Sequence, residues 1–159
     1  MAQKLQALRA LKVIPSDDAN VPFPSVMRSA YNTGLDSYAL IDAGATFITL
    51  GVQAGDIVYA TMDVKAATVV SVTSQTRLEL NGNIFSGTSR DYILYTGNSN
   101  TGSLTPCVFF VGTTGNVKVV TEGGDTVLLK NLANGQFIPV SVSRILKTET
   151  TASNIVALW

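Results

Sequence analysis

Phe137-Ile138-Pro139-Val140-Ser141-Val142-Ser143-Arg144-Ile145 is the stretch that decides the fold class of this chain. From Ile138 to Val142 branched apolar residues alternate with small ones, the period of a strand with one buried face. Pro139 has no N–H to give to a ladder, so the strand is expected at a sheet edge or at its own start. Ile138, Val140, Val142 and Arg144 are therefore read as an edge that pairs across subunits, as is the last strand with Trp159. The competing reading is an edge blunted by Pro139 and Arg144 within one subunit.

The same pattern extends outward on both sides. Val108-Phe109-Phe110-Val111 runs to Gly112, and Asn116 to Thr121 follows a Thr-Thr-Gly turn. Gly123-Gly124 then turns the chain into Thr126 to Lys130, a hairpin, and Asn134-Gly135 opens the stretch quoted first. Beyond it, Thr148 to Thr151 leads into Ile155-Val156-Ala157-Leu158-Trp159. Trp159 reads as a core or interface residue rather than a ligand-stacking one.

Upstream, Gly97 to Ser103 contains only turn formers and is the expected boundary between two modules. Before it, Asp36 to Leu50 alternates loosely and Ala54-Gly55-Asp56 turns into Ile57-Val58-Tyr59. Ala67 to Val72 is rich in β-branched residues, Arg77-Leu78-Glu79-Leu80 alternates, and Tyr92-Ile93-Leu94-Tyr95 forms a further strand. Short strands at close spacing, with no helical period between them, predict a small barrel of the SH3-like or OB-like kind. Its expected core is Phe47, Val52, Ile57, Val69, Val72, Leu78, Leu80, Ile84 and Ile93. The fold class is all-β: two small β-barrel or sandwich modules behind a short N-terminal arm or helix.

That arm places Leu5, Leu8 and Leu11 three apart, enough for one or two turns of helix but too short to stand alone. Lys4, Leu5, Leu8, Arg9 and Lys12 are read as a basic arm that tethers the chain to a neighbour, or else as a solvated tail. As a tether, residues 1–12 are expected to be removable without loss of the fold. From Pro15 to Pro24, three prolines exclude helix interior and make an ordered connector.

Composition narrows the chemistry. The chain has 159 residues, 46% of them hydrophobic and 14% charged, well below the roughly 25% charged of ordinary globular domains. Thr, Ser, Asn and Gly fill the difference, giving faces that desolvate cheaply against a neighbour. Eleven basic and eleven acidic residues cancel, which argues against nucleic acid as a partner. With no histidine, His-dependent serine, cysteine and zinc mechanisms are excluded. The single cysteine, Cys107, is read as a buried apolar thiol. No run approaches the roughly eighteen apolar residues of a membrane span, and no signal peptide, metal site or cofactor site is expected. Most carboxylates sit beside Gly, Ser or Asn, where they cap turns, so no catalytic residue is assigned.

Several segments resemble one known family. They are Phe110 to Val119 (Phe-Val-Gly-Thr-Thr-Gly-Asn-Val-Lys-Val), Gly124-Asp125-Thr126-Val127, Gly135 to Val140 and Thr150 to Trp159, with Pro15-Ser16-Asp17 and Val21-Pro22 near the start. Together they resemble small tailed-phage virion proteins, a family that includes the head spike base proteins of gene transfer agents. Where short members have a brief link after the Pro-Ser-Asp element, about eighty residues intervene here. The barrel thus looks like an insertion. The expected layout is an arm and connector over 1–25, an inserted barrel over 26–100, and a spike-base-like module over 104–159 completed by part of 14–25.

The resemblance implies a non-enzymatic virion component that forms a homo-oligomer, a trimer favoured, and contacts other virion proteins such as the major capsid protein. It implies no cofactor, nucleic acid or membrane, and a place on the virion head surface after assembly in the host cytoplasm. Capsid decoration or cement, including the head spike base, is favoured over a neck, tail or baseplate adaptor carrying fibres. A further alternative is a receptor- or glycan-binding module, for which Tyr31, Tyr38, Tyr59, Tyr92 and Tyr95 supply rings.

Overall fold

Two long strands, each bent in the middle, organise the molecule. The computed structural model describes residues 7–97 and 106–159, and among these no helix forms. The strands are β1 (Ala10–Lys12), β2 (Val26–Tyr31), β3 (Ala39–Ile41), β4 (Ile57–Ala60), β5 (Lys65–Ser74), β6 (Arg77–Leu80), β7 (Asp91–Tyr95), β8 (Cys107–Thr113), β9 (Gly115–Thr121), β10 (Thr126–Leu132), β11 (Gln136–Leu146) and β12 (Ser153–Leu158). They form two antiparallel sheets of six, a terminal sheet ordered β1-β12-β8-β11-β9-β10 and a second ordered β2-β7-β4-β5-β6-β3.

β11 is the bent strand of the terminal sheet. Gln136, Phe137 and Ile138 pair with β8, whereas Arg144, Ile145 and Leu146 pair with β9, and Val142 sits opposite both Cys107 and Thr121. The expectation of an edge at Ile138, Val140, Val142 and Arg144 is therefore corrected: β11 is internal, between β8 and β9. Pro139 is accommodated because the register with β8 breaks between Ile138 and Val142, so the missing N–H falls in a bulge. The last strand is internal too, since β12 lies between β1 and β8. By curling, this sheet gathers Phe109, Val111, Val117, Val142, Ile145 and Ile155 into one core.

The expected helix at the N-terminus is likewise not seen among the described residues: Ala10–Lys12 is a strand, paired with Val156–Leu158. Extended backbone wins because each bond to β12 is made against an existing template, whereas a turn of helix here has no face to pack on. Removing residues 1–12 would take away this strand together with any tether.

β5 repeats the bend in the second sheet, pairing β4 through Lys65–Thr68 and β6 through Val69–Ser74 with two register shifts. Beyond β2, Thr33 N–H donates to Ile41 O at 2.8 Å and Gly34 bridges Ile41, so the sheet closes into a small barrel. Its interior holds Leu40, Phe47, Val58, Val69, Leu78, Tyr92 and Leu94. Of the expected core, Val72 and Ile93 are only partly buried, and Ile57 points outward to a separate apolar cluster.

A polar lock closes the seam. Arg28 on β2 donates through Nε to Asp42 Oδ2 at 2.8 Å, and the Tyr92 hydroxyl donates to the same oxygen at 2.6 Å. The other oxygen accepts Gly44 N–H at 2.9 Å, so the buried carboxylate is fully occupied. Burial opposes the Arg28 charge, but Asp42 and Tyr92 outweigh it and raise the pKa. Asp56, also buried, accepts Gln53 N–H at 2.8 Å and Gly97 N–H at 2.6 Å, tying the end of β7 to the turn before β4.

Candidate functional site

The chain leaves the terminal sheet after β1, builds the barrel from β2 to β7, and returns at β8 to complete the sheet. The connector between β1 and β2 therefore touches both modules, and its middle, Pro15 to Asn20, is where they are fastened. Ser16 does most of the work on the barrel side. Its hydroxyl donates to Ala66 O at 2.9 Å while accepting Asp18 and Ala19 N–H, each at 3.1 Å. Asp18 O in turn accepts the Thr68 hydroxyl at 2.9 Å and the Asn81 amide at 2.7 Å.

The same residues face the terminal sheet. Ser16 N–H donates to Ile145 O and Val21 N–H to Ser143 O, both at 3.0 Å. The Arg144 guanidinium reaches Asp17 O and Asn20 Oδ1, both at 2.9 Å. The Asp17 carboxylate accepts the Thr148 hydroxyl at 2.7 Å and its N–H at 3.1 Å. Burial works to raise the Asp17 pKa, yet the two Thr148 bonds prevail and hold it below 3.8.

Beside this clamp the outer faces of β4 and β7 meet the start of the connector. Ile57, Tyr59, Ala66, Tyr95 and Ala19 form a buried cluster, with Leu11, Ile14 and Ile93 against it. Burial pushes the Tyr59 phenol well above its ordinary value, the Ile14 backbone pulling the other way. A cleft of about 300 Å³ opens here, walled by β1, Ile14, Tyr59, Ile93, Tyr95 and the tip of the β4–β5 hairpin. Val64 on that tip is 60% exposed and stands at φ +51°, an uncommon conformation for a β-branched residue.

The residues singled out in the sequence fall in three places. Lys4 and Leu5 lie outside the described residues. Leu8 is 84% exposed, whereas Arg9 stacks over Phe23 at 5.3 Å and Phe23 meets Trp159 edge-on at 5.6 Å. Lys12 is exposed on β1. Ile138 and Val142 are buried in the core, Val140 is on the surface, and Arg144 is engaged by the connector. Of the tyrosines, Tyr59, Tyr92 and Tyr95 are packed, while Tyr31 and Tyr38 are 57% and 54% exposed.

Sequence reading missed Ser16, Thr68 and Asn81 as fasteners, because a hydroxyl or amide bonding to backbone leaves no periodic trace. The apolar side of the junction did leave one. Ile57-Val58-Tyr59-Ala60 is buried at every position, and a short run without polar alternation marks a strand covered on both faces. No family model, curated protein or solved structure matches this chain.

Proposed function

We propose that this chain is a non-enzymatic virion structural protein, a capsid decoration or head spike base component that contacts copies of itself and the major capsid protein. The observation that carries the proposal is the two-sided clamp at Pro15-Ser16-Asp17. The element that the family resemblance places at the start of the scaffold is the one that fastens the barrel to the terminal sheet. A barrel fastened in this way is held to the terminal sheet through the connector, which suits a module presented on a particle surface. The low charge of the chain suits repeated contacts in a symmetric assembly.

Quantitative electrophoresis and immunogold microscopy of virions carrying the chain test this. A cement protein is expected at on the order of hundreds of copies over the head, a vertex spike base at tens, and a neck or tail adaptor at about a dozen or fewer. Absence from the particle overturns the proposal. The exposed Tyr31 and Tyr38 on the barrel favour a second reading, receptor or glycan binding. Glycan-array binding by the isolated chain, without binding to purified heads, would select it.

A further inference from the structure

Among the described residues the terminal sheet has two ends, β1 and β10, and the bonding pattern shows which backbone groups point away from the sheet at each. Trp159 N–H donates to Arg9 O at 3.0 Å and Arg9 N–H to Trp159 O at 3.2 Å, while Val13 N–H donates to Ile155 O at 2.9 Å. Bonded pairs alternate in an antiparallel ladder, so residues 9, 11 and 13 face β12, and the N–H and C=O of Ala10 and Lys12 point away from it. At the far end, Thr121 N–H donates to Asp125 O at 2.9 Å. Residues 125, 127 and 129 therefore bond β9, and the backbone of Thr126 and Leu128 is directed outward.

The side chains at the two ends match as well. β1 borders the apolar cleft walled by Ile14, Val64, Ile93 and Tyr95. β10 is uncharged from Thr126 to Leu129, with Val127 41% exposed and Leu128 and Leu129 half-buried. Sheets usually avoid association by placing charge or proline along an open edge; β10 does so only at Lys130 and β1 only at Lys12. An open edge beside an apolar cleft takes an apolar extended strand, and the chain itself carries one.

We infer that β10 of one copy adds to β1 of the next, beside the cleft, so that the terminal sheet continues from subunit to subunit. A second copy is the occupant because its edge offers both the outward backbone groups and the uncharged apolar residues that β1 and the cleft lack. Pairing β10 with β10 about a two-fold axis would leave the cleft uncovered. The contact is heterologous, so it repeats head to tail and closes into a ring where the rotation allows. It rests on the self-assembly part of the proposed function, not on the location in a virion.

Two full-length preparations, Lys12→Cys and Leu128→Cys, are mixed under mild oxidation and resolved by non-reducing electrophoresis. A disulfide between the two variants is expected, with little product from either alone. Cys107 stays silent, since burial pushes its thiol up to about 12. Native mass spectrometry of the wild type should show a concentration-dependent oligomer. Leu128→Pro, which removes an outward N–H and leaves the β9 bonds, should weaken it about tenfold or more with unchanged circular dichroism; Thr126→Pro reads the same contact if that variant fails to fold. Leu128→Cys crosslinking to itself, or a wild type that stays monomeric without mixed disulfide, overturns the inference. A monomer that still binds purified heads sinks this contact and leaves the proposed function standing. A crosslinked ring absent from virions does the reverse.

Discussion

Asp17 shows how much a single side chain can do at a junction. Its carboxylate holds Thr148 while its carbonyl holds Arg144, so one residue anchors the connector to the turn after β11 and to β11 itself. Because its folded pKa lies below 3.8, the carboxylate stabilises the fold above the unfolded value, and that contribution is lost as pH falls through the folded one. The group is exposed and screened, so its share is about 1 kcal/mol or less. Urea unfolding is expected to show wild-type stability dropping below about pH 4, and Asp17→Asn should be less stable at neutral pH with a shallower acid decline. An unchanged acid limb would remove Asp17 from the clamp. That Pro15 to Pro24 is an ordered connector was legible from its three prolines. That Ser16 bonds the backbone of Ala66 was not, because the partner lies fifty positions away.

At the scale of elements, most strands from β4 to β12 were legible from alternation and turn residues, since each needs only a local pattern. Three were not. Ala10–Lys12 is too short to show a period, Ala39–Ile41 is embedded in turns, and Val26–Tyr31 mixes Met, Arg and Ser without clear alternation. The position of β11 was misread because proline reports a missing donor, and a bulge inside a sheet satisfies that condition as well as an edge does. Turns impose their own limits. The end of β7 approaches the turn before β4 so closely that a Cβ on Gly97 would lie 2.0 Å from Gly55 O. Gly97→Ala must displace that turn and weaken the Asp56 bond, costing about 1–3 kcal/mol. Chemical denaturation checks this; a variant as stable as wild type would mean the turn yields freely.

For the molecule as a whole, two modules share a small set of polar fasteners and one apolar cluster. With the fasteners intact, a single cooperative unfolding transition is expected. Removing the Ser16 hydroxyl orphans Ala66 O and two N–H groups, and losing the Asn81 amide takes one of the two bonds on Asp18 O. The double variant Ser16→Ala with Asn81→Ala is expected to cost about 2–4 kcal/mol. It should also split calorimetric unfolding into two transitions. One transition at lower temperature would mean that the apolar cluster alone couples the modules.

The pairing of β1 with β12 has a consequence for biosynthesis. Every described strand of the barrel lies between Val26 and Tyr95, so its partners are all at hand before β8 to β12 are made, and domains generally fold as units while the chain emerges. Among the described residues β1 pairs only with β12, which is made after every strand of the barrel. β1 therefore leaves the ribosome well before its partner and waits unpaired while the barrel forms beside it, and the clamp at Ser16 can fasten its barrel side before the sheet it serves exists.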